Sequence, residues 1–305
     1  MDIDALMHRF RSHLVAAGKS PHTIRAYTRD LRLFARWFVV TNGKPLSLEG
    51  ITPIDLRQYR SYLSTVKGRK PATANRKLAS LSAFCRWARG DGLIAAKPAQ
   101  GIGQVEKVRP APKWLDKRGQ YAFLRAVQER GRKRDVALIT LMLHTGLRVS
   151  EVANLKVGDV RISPRKGSVM VRGGEGNKFR QVPLNADARK AIQAYLEARS
   201  GHGERLEVNR GHLFVGQRGD PLKPSGIYYL VRRYAYDARL DGVTPHTLRH
   251  TFGKNLVDAG VSLDRVAQLL GHESVDTTRI YTTPSEQDLQ REVEKVALSQ
   301  MERRG

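Results

Sequence analysis

The sequence predicts a mainly α-helical protein of two domains, the second carrying a small antiparallel β-sheet. Three observations lead there. The 305 residues exceed the usual size of a single domain, with one large domain as the alternative. Apolar residues recur at helical spacing through most of the chain. A single cluster of short β-type segments falls between residues 160 and 184.

Leu6, Phe10 and Leu14 share one face of a first helix, which Gly18 ends. Ser20 and Pro21 supply an N-cap and first helical residue for a second helix. Its apolar stripe is Ile24, Tyr27, Leu31, Phe34 and Phe38, and Arg25, Arg29, Arg32 and Arg36 stand between. A third helix opens at Thr52-Pro53, with Asp55 three residues after the cap, and carries Leu56, Tyr59 and Leu63. A fourth covers 72–89, includes Arg76 and Lys77, and ends at Gly90. Residues 1–96 thus read as a helical module with basic outer faces. From Lys97 to Pro112, KPAQGIGQVEKVRPAP loses periodicity and gains Pro and Gly, as an interdomain linker does.

In the second domain, 113–305, helices are expected at 116–130 and 133–144. Strands follow at 160–163, 168–172 and 178–184, the last two joined by the turn GGEGN. Helices resume at 186–198, 223–239, 246–259 and 262–270, with more after 284.

The charge narrows the function. Lys and Arg number 54 against 29 Asp and Glu, a formal +25, with a pI near 10.6. A folded chain so basic calls for a polyanionic partner, and nucleic acid is the first candidate. Residues 1–110 carry 20 of the basic residues and only 7 of the acidic ones, interleaved with apolar positions as in folded helices. The one cysteine, Cys85, sits with Leu81, Phe84 and Ala88 on a helical pattern, which excludes an intrachain disulfide and makes core packing its role. No run reaches the roughly 18 to 20 apolar residues of a membrane helix, and MDIDALMHRF lacks signal-peptide features; a cytoplasmic, nucleoid-associated protein is expected.

Three stretches concentrate reactive residue types. HTGLRVSE, 144–151, holds Arg148 and, one turn on, Glu151. TPHTLRHTF, 244–252, puts His246 and Arg249 on one helix face, with His250 extending it. LLGHESVDTTRIYTTP, 269–284, holds His272 and Tyr281. Each has a plain structural reading alone: Arg148 caps a helix and pairs with Glu151, His246 is an N-cap, His272 follows a helix-ending glycine, and Tyr281 is half-buried with its hydroxyl at the surface. A zinc site is disfavoured, since HTLRH lacks the Glu of HExxH and Cys ligands are absent, so no metal is expected.

Together, two arginines, two histidines and a tyrosine suit one kind of chemistry, in which a phosphodiester is held and attacked without metal. Guanidinium forks neutralise the nonbridging oxygens, histidines donate hydrogen bonds or move protons, and a phenolate serves as nucleophile. Neighbouring guanidinium charge favours loss of the phenolic proton.

The chain resembles the tyrosine recombinases of the phage integrase and Xer type over nearly its full length. HTGLRVSE, GNKFRQVPL, PHTLRHTF and LLGHESVDTTRIYT match that family's boxes in order, and SPHTIRAYTRDLRLFARW resembles its N-terminal domain. The resemblance implies a helical, SAM-like core-binding domain and a catalytic domain that clamp DNA. It implies site-specific DNA recombination or integration through a 3′-phosphotyrosyl intermediate and a Holliday junction, with no cofactor. Tyr281 would be the nucleophile, Arg148 and Arg249 the phosphate clamp, His272 a hydrogen-bond donor and His246 a proton-transfer group. Glu151 would orient Arg148. The implied partners are double-stranded DNA with an inverted-repeat site, three further copies in a tetramer, and a related recombinase or accessory protein. Gln287–Met301 would dock on a neighbouring copy. On the DNA we expect Arg25, Arg29, Arg32, Arg36, Arg76 and Lys77.

One position departs from the family pattern. Where similar recombinases carry a hairpin lysine as general acid, this chain has Glu175, and Lys178 follows in GNK. Lys178 as substitute acid is one reading; a cleavage-impaired DNA-binding and synapsis protein of the same fold is the other. A type IB topoisomerase shares the chemistry but needs no paired site.

Overall fold

A computed structural model describes residues 3–106, 113–129, 132–172, 179–200, 211–272, 274–282 and 293. The chain forms two compact units, Met1–Arg109 and Pro110–Gly305.

The first unit is built from α1 (Ile3–Ala16), α2 (Pro21–Asn42), α3 (Pro53–Ser61) and α4 (Pro71–Gly90). Helix starts follow their local chemistry. Ser20 Oγ accepts from the Thr23 amide at 3.1 Å ahead of Pro21. Thr52 and Asp55 cap reciprocally, amide to carboxylate at 2.9 Å and amide to hydroxyl at 3.2 Å. The third helix does not run regularly through Leu63: a π-helical turn, Tyr62–Val66, closed by Lys67 N–H to Tyr62 C=O at 2.9 Å, follows α3. Hydroxyls of Ser64 and Thr65 donate back to the Arg60 and Ser61 carbonyls there, competing with the regular ladder. The core is aromatic, with Tyr59 edge-on to Phe34 at 5.0 Å and Phe10 edge-on to Phe84 at 5.3 Å. Cys85 is buried in it.

Arg25, Arg29, Arg32 and Arg36 all lie exposed along α2. Lys77 does not join them, which corrects its placement on DNA. It is buried, and its Nζ donates to Asp30 Oδ1 at 2.9 Å. Asp30 is fully buried and also takes both terminal nitrogens of the half-buried Arg76. Burying one carboxylate demands compensating charge, so Lys77 is committed inside the fold. Asp30→Ala strands the Lys77 ammonium, and a loss of about 3–5 kcal/mol of stability is expected, read by urea melts against wild type.

Residues expected as linker are partly attached to this unit. Ala99, Ile102 and Val105 pack on its core, and Asn75 exchanges two 2.8 Å hydrogen bonds with the Val105 backbone. Residues 107–112 lie outside the described ones.

The second unit centres on α6 (Lys133–Thr145), buried continuously from Ala137 to Leu143. Against it pack α5 (Lys117–Glu129), α8 (Ala186–Ser200) and α10 (Pro245–Asp258). The remaining helices are α7 (Val149–Asn154), α9 (Pro224–Asp237) and α11 (Leu263–Leu270). The sheet is antiparallel in the order β1 (Val160–Ile162), β2 (Gly167–Val171), β3 (Arg180–Pro183). Val169 pairs with Val160 and Val182, and Val169, Val171 and Val182 form the buried face. No helix among the described residues is long and apolar enough to cross a membrane. The turn GGEGN and the expected C-terminal helix, with Gln287–Met301, fall outside the described residues apart from 293.

Candidate active site

Two glycine-ended helices and one capped start bring the three sequence stretches together. Gly146 ends α6 in the left-handed region, φ 60°, and a Cβ there would meet Phe252 at 2.6 Å and Leu270 at 2.7 Å. Thr244, rather than His246, caps α10, its hydroxyl accepting from the Thr247 amide. Gly271 ends α11 at φ 67°.

The last turn of α11 has carbonyls without helical partners, and three arginines take three in succession. Arg180 Nε donates to Leu269 at 3.3 Å, Arg249 to Leu270 at 2.7 Å, and Arg148 to Gly271 at 3.0 Å. Arg249 is buried and also donates to the Gly146 carbonyl at 2.6 Å. Burial, then the Arg148 charge, lowers its pKa to about 10, so it stays charged at neutral pH.

Glu151 holds the arrangement from below. Its Oε2 accepts the Arg148 amide at 2.7 Å, so Arg148 is the N-cap residue of α7, and Oε1 accepts the Arg148 guanidinium at 3.1 Å. Arg180 meets the same carboxylate with both terminal nitrogens, at 2.9 and 2.8 Å. Burial pushes the Glu151 carboxyl up, but the Arg180 and Arg148 hydrogen bonds outweigh it and hold the pKa below the usual value.

His272 follows Gly271, its Nδ1 2.9 Å from the buried Thr278 hydroxyl. Burial and the Arg249 and Arg148 charges push its pKa down to about 4, so it is neutral at physiological pH. A Thr278 hydroxyl that donates to Nδ1 would leave the ring proton on Nε2.

Tyr281 closes a short 3₁₀ turn, Arg279–Tyr281, and is 1% exposed, which corrects the expectation of a surface hydroxyl. Its ring lies over Gly253, where a Cβ would come within 2.6 Å of it, and stacks on His272 at 6.5 Å between centroids. Its hydroxyl is 3.1 Å from Nδ1 of His250. The expected lowering of the phenol pKa is also corrected. Arg249 acts in that direction, but burial is larger and the net shift is upward.

Arg148, Glu151, Arg249, His272 and Tyr281 therefore converge. His246, one turn before His250, is exposed and lowers the His250 pKa after burial does. Glu175 and Lys178 lie outside the described residues. Two participants went unassigned from sequence. His250 was visible beside Arg249, and Arg180 shares a strand face with buried Val182 at the period of two, an unusual place for an arginine.

The model of the phage integrase family matches residues 113–288, and that of the phage integrase N-terminal SAM-like domain matches 7–92. The tyrosine recombinase XerD of Ralstonia nicotianae is 36% identical over 87% of this chain and 84% of its own. XerA of Thermococcus kodakarensis is 35% identical over 96% of this chain and 95% of its own. Among solved structures, the XerH site-specific recombinase bound to a palindromic difH substrate, a post-cleavage complex, aligns with a TM-score of 0.73 at 25% identity, covering 91% of this chain and 80% of that one. With both units matched and the arginine, histidine and tyrosine boxes folded into one pocket, this chain belongs to the phage integrase family of tyrosine recombinases.

Proposed function

We propose that the protein is a site-specific recombinase that cleaves and rejoins double-stranded DNA through a phosphotyrosyl intermediate. The observation that carries this reading is the Tyr281 hydroxyl, in one pocket with Arg249 and two histidines, beside Arg148. Arg148 and Arg249 clamp the scissile phosphate. Their guanidinium charges oppose the negative charge that grows on phosphorus as a fifth oxygen joins it. Neutral His272 donates Nε2–H to a nonbridging oxygen. Tyr281 Oη forms the new P–O bond and gives up its proton, with His246 the expected relay and His250 its observed partner. The 5′-oxygen leaves and takes a proton. One phosphodiester replaces another, so rejoining needs no external energy source.

Cleavage also requires Tyr281 to become accessible. A phenol stored protonated against His250 attacks only after the Arg279–Tyr281 turn moves. The exposed α2 arginines grip the backbone without reading sequence, which makes affinity salt-sensitive. Four copies on two inverted-repeat sites, with Gln287–Met301 docking between neighbours, complete the proposed assembly.

The test is a nicked suicide duplex carrying the inverted-repeat site found by footprinting DNA beside the gene. An SDS-stable protein–DNA adduct is expected, with the protein on the 3′ side of the break. Specific binding without any adduct would leave only a DNA-binding and synapsis role.

A further inference from the structure

Arg180 has no role in the mechanism above, yet it makes three hydrogen bonds in the pocket. Its side chain is only 15% exposed, and each of its three nitrogens donates to a protein acceptor: Nε to the Leu269 carbonyl and the two terminal nitrogens to Glu151. Three of its five N–H groups are thus committed to protein acceptors. What it touches, however, is what orients the phosphate ligands. Glu151 fixes Arg148 through two hydrogen bonds, and the α11 end that Arg180 binds leads through Gly271 into His272. Packing at Gly271 is so close that a Cβ would lie 2.8 Å from Arg180 Nη1. Arg180 thus joins β3 to the start of α7 and the end of α11 by one planar fork.

We infer that Arg180 is a positioning residue for DNA cleavage: it holds the Glu151 carboxylate and the α11 terminus so that Arg148 and His272 keep their reacting geometry. The inference rests on the recombinase reading of this pocket. A lysine cannot do the same work, because its point charge cannot match the bidentate carboxylate and the carbonyl at once.

The role carries a pH signature. Glu151 faces Arg148 from the start of α7, Arg180 from β3 and Arg249 from α10, while His272 beyond α11 is neutral. Removing Arg180 leaves burial to weigh more heavily, so the carboxyl takes up a proton at higher pH than before. A protonated Glu151 loses its ionic hold on Arg148. Cleavage then fails on the acid side first and recovers as pH rises.

Single-turnover cleavage of the suicide duplex by full-length protein tests this across the pH range. For Arg180→Gln we expect cleavage near neutrality to slow by about 10- to 100-fold. We expect the acid limb of the profile to move up by about one pH unit, with duplex affinity unchanged. Arg180→Lys should fall between this variant and wild type, and it serves if the glutamine variant does not fold by circular dichroism. A loss equal at every pH, no loss, or failure of both variants to fold overturns the positioning role while wild-type cleavage stands. If wild-type protein itself yields no adduct, the recombinase reading falls, and this inference with it.

Discussion

Tyr281→Phe is expected to abolish the covalent adduct, a loss on the order of 10⁴- to 10⁶-fold, the scale seen when a covalent nucleophile is removed. The substitution is unusually clean here. The ring packs against Gly253 and His272 and with Val266 and Leu270, and phenylalanine keeps all of those contacts. Only the hydroxyl goes, and with it the hydrogen bond to His250, about 1 kcal/mol of stability. Folding and DNA binding should survive. The comparison to make is adduct on SDS gels beside a gel shift on the same duplex. An adduct that persists in the variant would place the nucleophile elsewhere; loss of both adduct and binding would mean that the hydroxyl supports the fold rather than the chemistry.

The fold was largely legible because its signals are local. Ser20-Pro21 and Thr52-Pro53-x-Asp55 state helix starts outright; the α2 stripe buries Leu31, Phe34 and Phe38 and leaves Ile24 and Tyr27 half-buried, while Leu81, Phe84 and Ala88 are buried on α4. What local pattern could not convey is where charge goes once helices pack. Lys77 looks like any basic residue on an amphipathic helix until Asp30, 47 positions away in sequence, is found buried beside it. Arg180 reads as one more cation in a basic strand until Glu151 proves to need a second partner. The same limit explains Tyr281. Sequence places a phenol among guanidinium groups and suggests an acidified nucleophile, but burial, a property of the whole second unit, outweighs the Arg249 charge. The residues proposed for catalysis were visible in the sequence; their electrostatic state was not.

Glu175→Lys is expected to raise the single-turnover cleavage rate by about 10- to 10⁴-fold, the range a general acid contributes. Proton supply sets this effect. When Tyr281 attacks, the departing 5′-oxygen would leave as an alkoxide, a very poor leaving group unless a proton reaches it in the transition state. Tyr281 and the neutral His250 and His272 stand on the attacking and clamping side, so the pocket described offers no spare acid for the leaving group. The family resemblance implies a hairpin lysine for that need, and we propose that Glu175 stands at its position here. An ionised carboxylate has no proton to give and repels the phosphate. Lys178, in the same hairpin, is the competing source. A 5′-bridging phosphorothiolate substrate separates the two readings, because its thiolate leaves without protonation. If a proton is limiting, the sulfur substrate speeds the wild-type protein as much as Glu175→Lys does on ordinary DNA, and Lys178→Ala changes little. If Lys178 already supplies the proton, Lys178→Ala slows ordinary DNA alone and Glu175→Lys gains nothing, which would sink the assignment of Glu175 as the position where an acid is missing.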